Sequence, residues 1–138
     1  MFSWLREYTT WTIDTSALIA VIVDEPDATS ILSVIAAQDR VLLTAANWLE
    51  TQIVVSVRAR GRLDTLHALM DVIPHEIVPV TAALADAAFI AFTRYGQGQH
   101  PAALNFGDCV SYALARVRSV PLLFKGDDFS RTDVLIAG

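Results

Sequence analysis

The sequence predicts an α/β fold: one domain with a parallel twisted sheet flanked by helices on both faces. Short runs of β-branched and apolar residues alternate with longer amphipathic segments along the 138 residues, which is typical of βαβ units. No repeat, low-complexity stretch or linker divides the chain. With 54% hydrophobic residues and a formal net charge of −5, the chain is suited to a single core and not to disorder.

The first half of the chain has two predicted strands and four predicted helices. Trp11 to Ile13 forms the first strand, and Asp14 then opens a run of residues that favour helix N-caps. The elements that follow are a helix over 17–23, a helix over about 27–38, a strand over 41–43, a helix from about 46 to Gly61 and a helix over about 63–72. In the helix from 46, we expect Leu49, Ile53 and Val57, spaced by four, to form the apolar stripe.

The second half repeats the alternation. Ile77 and Val78 form the third strand, and Thr81 caps a helix that ends at Tyr95. The stretch 96–104 has no periodicity and is predicted to be a surface loop. The last predicted elements are a helix over about 106–117 capped by Asn105, a fourth strand over 121–124 and an edge strand over 134–136.

Composition also excludes several classes of protein. The longest apolar run, 17–23, is far shorter than the ~20 residues that a membrane span needs. The single Cys109 excludes an internal disulfide, and no export signal is present, so we expect a cytoplasmic protein. An acidic balance ordinarily argues against nucleic acid as a partner, because phosphates attract Lys and Arg.

Four acidic residues fall where an open parallel sheet places its ligand site, beyond the carboxyl ends of the strands. Asp14 follows the first strand, and Glu50 lies early in the helix after the second. Asp108 is in the first turn of the helix opened by Asn105, and Asp127 follows the fourth strand. These acids are distant in sequence, yet the fold can bring them to one end of the sheet.

Clustered carboxylates repel one another and raise each other's pKa unless a cation lies between them. Oxygen ligands suit Mg²⁺ or Mn²⁺, which also hold phosphate oxygens and can lower the pKa of a water molecule to make a nucleophile. A cation that holds phosphate oxygens and activates water can hydrolyse a phosphodiester, so the pattern predicts this reaction. The alternative explanation for Asp14 and Asp108 is structural, since an Asp at these positions also caps a helix.

Four segments together resemble the PIN-domain ribonucleases, in particular the VapC-type toxins of bacterial toxin–antitoxin pairs. They are the stretches Ile13-Asp14-Thr15-Ser16-Ala17-Leu18, Leu49-Glu50-Thr51, Leu104-Asn105-Phe106-Gly107-Asp108-Cys109 and Leu123-Phe124-Lys125-Gly126-Asp127-Asp128-Phe129. The resemblance implies a Mg²⁺- or Mn²⁺-dependent endoribonuclease with a cognate VapB-type antitoxin, present as a homodimer or a toxin–antitoxin hetero-oligomer. Its RNA substrate stays open, with transfer RNA as one plausible target.

The resemblance also assigns residues. Asp14, Glu50 and Asp108 match the three acids that nearly all members share, and Asp127 matches the more variable fourth, with Asp128 as its alternative. We expect Asp14 and Asp108 to bind the principal metal and the other two acids to complete its coordination, or that of a second metal, through water. We expect residues 11–138 to be the nuclease domain and residues 1–10 to be either an N-terminal extension or the result of an upstream start assignment.

Two rival functions stay open at this point. Asp14, Lys125 and the acids after Gly126 loosely resemble a haloacid-dehalogenase-like phosphatase, but that family has a second Asp where this chain has Ser16. A non-catalytic binding module, whose acids only cap helices, is the other rival. A further ambiguity concerns Arg58, Arg60 and Arg62, which either complement a helix C-terminus or contact RNA phosphates.

Overall fold

The structure is a computed structural model that describes residues 10–137. Of the predicted N-terminal extension, residues 1–9 lie outside the described residues, and Thr10 begins the first strand. Within the described part, no helix combines the length and the apolar character needed to cross a membrane.

Four short parallel strands form the sheet in the order β3-β2-β1-β4. They are β1 (Thr10–Ile13), β2 (Arg40–Thr44), β3 (His75–Val78) and β4 (Leu122–Leu123). The predicted edge strand over 134–136 is wrong, because Ile136 makes only a single parallel bridge to Leu122. The central position of β1 places the residue that follows it, Asp14, in the middle of the sheet edge.

Between and after the strands, residues 10–137 form six α-helices. They are α1 (Thr15–Ile22), α2 (Ala28–Ala36), α3 (Ala45–Arg58), α4 (Leu63–Val72), α5 (Ala82–Tyr95) and α6 (Phe106–Arg118). Side chains of Asp14, Thr44, Thr81 and Asn105 cap α1, α3, α5 and α6 respectively. The predicted caps at Asp14, Thr81 and Asn105 are therefore confirmed.

Helices cover both faces of the sheet, as predicted. Successive residues of β2 point to opposite faces: Val41 and Leu43 join the core beneath α1 to α4, and Leu42 joins the core beneath α5 and α6. Because both faces are covered, the strands are apolar on both sides. The predicted α/β class is confirmed.

Helix α3 presents a different face to the core from the predicted one. Leu49, Ile53 and Val57 are 58%, 54% and 70% exposed, so the apolar stripe faces outward. The buried residues of this helix are Asn47, Thr51 and Val55. Burial of the two polar side chains is tolerated because both are hydrogen bonded, which offsets the cost of removing them from water.

Candidate active site

Asp14 lies at the carboxyl end of β1, where it is both a helix cap and a buried acid. Its Oδ2 accepts a hydrogen bond from the Ser16 backbone N–H at 3.0 Å, and its Oδ1 accepts one from the Ser111 hydroxyl at 2.6 Å. Burial raises the pKa of Asp14, the hydrogen bonds from Ser111 and Ser16 lower it, and the negative charge of Glu50 raises it further. The structural and functional interpretations of this residue are therefore compatible.

Asp108 is held in the same way at the start of α6. It forms a capping box with Asn105: its N–H donates to Asn105 Oδ1 at 2.9 Å, and its Oδ2 accepts from the Asn105 N–H at 3.1 Å. Burial, followed by the charge of Asp14 and smaller contributions from Asp128 and Glu50, raises the pKa of Asp108 to about 7. Asp108 thus experiences the charge of acids from three other parts of the chain.

The Glu50 carboxylate lies against Gly107 in the first turn of α6. A methyl group on Gly107 would come within 2.6 Å of Glu50 Oε1 and 2.7 Å of Oε2. Glu50 is half-buried, and the absence of a side chain at Gly107 lets its carboxylate approach the backbone of α6 beside Asp108. Helices α3 and α6 therefore each place an acid at the same point.

A buried polar network fixes this junction of helices. Asn47 Nδ2 donates to Gly107 O at 3.1 Å, and Asn47 O accepts hydrogen bonds from the hydroxyls of Thr15 at 3.1 Å and Thr51 at 2.7 Å. The Thr51 and Thr15 hydroxyl oxygens lie 3.1 Å apart. The network links α1, α3 and α6 directly beside the three acids, so their relative positions are set by buried contacts.

Two further carboxylates line the cleft, those of Asp128 and of Glu25, and Asp128 belongs to the segment after the fourth strand. Asp128 lines the same cleft as Asp14, Glu50 and Asp108, whereas Asp127, the residue preferred from the sequence, does not, although both are exposed to solvent. Gly126, with φ +105°, turns the chain just before these residues, a conformation that L side chains rarely adopt.

The cleft has a volume of about 300 Å³, and oxygen-bearing side chains dominate its lining. Two cationic side chains, Arg58 and Lys125, also line it. Lys125 forms ion pairs with Asp27 at 2.8 Å and Glu25 at 3.4 Å, and its N–H donates to Ser16 Oγ at 3.0 Å. These contacts tie the segment that carries Asp128 to the start of α1 and to the loop between α1 and α2.

The residues of the cleft fit a hard divalent cation. Across residues 10–137, no three His, Cys, Asp or Glu side chains form a group that could hold a metal ion by themselves. Mg²⁺, however, is usually bound by one or two carboxylates together with several waters, so it does not need such a cage. Burial and, after it, the negative charges of Asp14, Asp128 and Glu50 raise the pKa of Asp108, and a divalent cation bound among these acids would offset both effects.

Some residues of the site were not identified from the sequence. Ser111 and Asn47 carry no motif of their own, but each lies three residues from an acid on the same helix: Ser111 from Asp108, and Asn47 from Glu50. That spacing places each pair on one helix face, which is the signal that could have found them. The Thr15 hydroxyl donates to Asn47 O, and the Ser16 hydroxyl oxygen accepts from the Lys125 N–H.

The sequence that forms this site is similar to the sequences of known proteins. The PIN domain family matches residues 12–135. Ribonuclease VapC of Mycolicibacterium smegmatis is 46% identical over 125 residues, which are 88% of this chain and 95% of that protein. Ribonuclease VapC30 of Mycobacterium tuberculosis is 47% identical over 128 residues, which are 88% of this chain and 94% of that protein.

Solved structures share the fold at low sequence identity. The chain resembles Mycobacterium tuberculosis VapC20, described as a toxin that cleaves the sarcin-ricin loop, with a TM-score of 0.73, 17% identity and coverage of 91% of this chain and 96% of that one. It also resembles a chain of a toxin–antitoxin complex from Klebsiella pneumoniae, with a TM-score of 0.69, 17% identity and coverage of 91% and 95%.

Proposed function

Because this chain belongs to the PIN-domain family and, within it, to the VapC ribonucleases, we propose that it is the toxin of a toxin–antitoxin pair and hydrolyses RNA phosphodiester bonds with a divalent cation. The observation that carries the proposal is the convergence of Asp14, Glu50, Asp108 and Asp128 on one cleft at the carboxyl edge of the sheet. A non-catalytic module does not explain why acids from separate segments meet there, and a haloacid-dehalogenase-like phosphatase would need a second Asp where this chain has Ser16.

The cation, Mg²⁺ or Mn²⁺, would be held by Asp14 and Asp108, with Glu50 and Asp128 completing its coordination through water. When bound, it supplies positive charge for the phosphate oxygens and lowers the pKa of a water molecule. Asp128 replaces Asp127 in this proposal because Asp128 lines the cleft.

The side chains of the protein hold these acids in fixed positions. Ser111 and the Ser16 N–H orient the two carboxylate oxygens of Asp14, and the Asn105 N–H orients one oxygen of Asp108. Gly107 leaves room for the Glu50 carboxylate beside them. Because these donors are already in place before substrate arrives, little reorganisation is needed during the reaction.

A partner protein is the second part of the proposal. Phe106, Phe89 and Leu49 are 81%, 66% and 58% exposed, which is a large apolar surface for a protein that acts alone. The similar chain from Klebsiella pneumoniae was solved as a toxin–antitoxin complex. We propose that a VapB-type antitoxin binds this chain, and that the chain is present as a homodimer or a toxin–antitoxin hetero-oligomer.

The nuclease is tested by incubating the purified protein with a mixed RNA pool, with Mg²⁺ or Mn²⁺ and with chelator. Internal cuts that require the metal and disappear in Asp14→Asn are expected. Asp86→Asn is the matched control, because it removes an exposed acid of α5 that does not line the cleft. Cleavage that persists in chelator, or in Asp14→Asn prepared in parallel, would contradict the proposal.

The partner is tested through the neighbouring gene. A small open reading frame beside this one, co-expressed with it, should yield a protein that co-purifies with the chain and suppresses the cleavage. Light scattering on the chain alone and on the complex then gives the two oligomeric states. If the protein encoded by the neighbouring gene neither binds the chain nor inhibits its cleavage of RNA, this result would count against the toxin–antitoxin assignment and leave the nuclease assignment intact.

A further inference from the structure

We propose that Arg58 is a substrate-binding residue whose guanidinium binds a phosphate of the RNA strand next to the one that is cleaved. The inference rests on the proposed ribonuclease function and adds to it how a polyanion is held at an acidic cleft. It follows from the position of Arg58 on α3, from the contacts of the other cation in the cleft, and from the contacts of the neighbouring arginines.

Glu50, Val54 and Arg58 all line the cleft, and they follow one another at intervals of four on α3. Residues at this spacing form one stripe along a helix. Eight residues correspond to about 12 Å along the helix axis, so the backbone of Arg58 is well removed from that of Glu50. The backbone of Arg58 is therefore about two helical turns from that of Glu50, a separation that suits contact with a neighbouring phosphate.

Lys125, the other cation of the cleft, is already paired. Its ammonium lies 2.8 Å from Asp27 Oδ2 and 3.4 Å from Glu25 Oε2. Within residues 10–137, Arg58 has no carboxylate within ion-pair distance, although Glu50 and Asp108 line the same cleft. Its charge is therefore available to a ligand, whereas that of Lys125 is largely compensated within the protein.

The neighbouring arginines differ from Arg58. Arg62 donates through Nη1 to Ile22 O at 2.6 Å, which holds the turn after α3 against the end of α1. Arg60 is exposed, and it does not line the cleft. Of the three arginines whose role the sequence left open, only Arg58 faces the proposed active site.

The chemistry of the side chain suits a phosphate. The planar guanidinium presents N–H donors in a fork that matches two phosphate oxygens at once. The carboxylates that line the cleft repel an approaching RNA strand, and a cation without an ion-pair partner in the same cleft provides an attachment point that fixes the register of the strand. Such a contact exists before and during the reaction, so its loss should raise KM and leave kcat largely unchanged.

The test compares Arg58→Gln, Arg58→Lys and Arg60→Gln with the wild-type chain. In the first measurement, cleavage in Mg²⁺ of an RNA that the wild type cuts gives kcat and KM. In the second, each Arg substitution is combined with Asp14→Asn, and fluorescence anisotropy of a labelled single-stranded RNA gives Kd at several salt concentrations. Arg58→Gln should raise KM and Kd about tenfold and lower the salt slope of log Kd by about 0.7, the value for one phosphate on a single strand. Arg58→Lys should recover part of the loss.

Arg60→Gln is the matched control, since it removes the same charge two residues away. It should leave KM and the salt slope close to wild type. Equal effects of Arg58→Gln and Arg60→Gln would overturn the inference, because a general loss of charge would then explain both. If the wild type cleaves RNA and Arg58→Gln has the same KM and salt slope as the wild type, only this inference is overturned. If the wild type does not cleave RNA, the proposed function is overturned as well.

Discussion

The Ser111 hydroxyl donates a 2.6 Å hydrogen bond to Asp14 Oδ1, although the two residues are 97 positions apart. Ser111 is fully buried on α6, and Asp14 is 3% exposed at the end of β1. This bond opposes the rise in the pKa of Asp14 that burial causes. It also joins the first strand to the helix that carries Asp108, so one contact serves both the fold and the site.

Ser111→Ala should therefore affect stability and metal binding together. Removing the donor leaves a buried carboxylate oxygen without its partner, which costs about 1–3 kcal/mol of unfolding free energy. Urea unfolding measures this loss, and Mn²⁺ titration should show weaker binding. Ser56→Ala is the control, because the Ser56 hydroxyl bonds only to Ile53 O on the exposed side of α3. An unchanged Mn²⁺ affinity in Ser111→Ala would contradict the assignment of Asp14.

Gly107→Ala should lower the rate of RNA cleavage without lowering the stability of the protein. The added methyl group would lie 2.6 Å from Glu50 Oε1, and the flexible end of Glu50 can move away. Alanine is favoured over glycine within a helix by about 0.5–1 kcal/mol, so thermal stability should stay the same or rise. RNA cleavage should fall at least tenfold because Glu50 is displaced from the other acids.

The control for this variant is Gly61→Ala. A methyl group on Gly61 would meet no atom within 4 Å, so cleavage should be unaffected there. If Gly107→Ala cleaved RNA at the wild-type rate, the position of Glu50 against α6 would not matter for the reaction.

Asp128→Asn should lower the rate of cleavage more than Asp127→Asn. Asp128 lines the cleft and its charge raises the pKa of Asp108, whereas Asp127 is exposed outside the cleft. The two variants are each other's control, since they remove the same charge from adjacent positions. Steady-state cleavage under identical Mg²⁺ decides between them, and a larger effect at Asp127 would restore the assignment made from the sequence.

Tyr112→Phe should reduce stability in a way that depends on pH. The Tyr112 hydroxyl donates to Asp133 Oδ1, and this bond, followed by the charge of Arg116, lowers the pKa of Asp133. A lowered pKa contributes stability above the ordinary Asp value of about 3.9, and the contribution is lost as the pH falls through the lower value in the folded protein.

The variant should accordingly lose about 1 kcal/mol of unfolding free energy at neutral pH, with a smaller loss in acid. Urea unfolding from pH 7 downward measures the difference. Tyr95→Phe is the control, since Tyr95 packs edge-on against Tyr112 and the described structure gives its hydroxyl no hydrogen bond. If the difference in unfolding free energy between Tyr112→Phe and the wild type stays constant across the pH range, the hydrogen bond to Asp133 does not account for the loss of stability.

The elements of the fold were predictable where local signals are strong. Asp14, Thr81 and Asn105 cap helices as predicted, because a cap depends on a side chain and the backbone N–H two or three residues later. The edge strand over 134–136 was not predictable in the same way. Apolar residues there satisfied the pattern, but pairing depends on a neighbouring strand, and Ile136 meets Leu122 at only one position.

Helix α3 shows where periodicity misleads. Spacing by four identified a real stripe of Leu49, Ile53 and Val57, yet that stripe is exposed. The core side of the helix carries Asn47 and Thr51, and their burial depends on Gly107 and Thr15, which come from other elements. A pattern within one helix contains no information about such partners.

The sequence by itself determined the α/β class, the order of the elements and the three acids Asp14, Glu50 and Asp108 as candidates, because each depends on local composition and on the rule that parallel strands end at one edge. Only the tertiary structure decided that Asp128 and not Asp127 enters the cleft, that Ser111 holds Asp14, and that Arg58 alone of three arginines faces the acids. Adjacent residues such as Asp127 and Asp128 are equivalent in local pattern, and they become different only when the tertiary structure determines which of them lines the cleft.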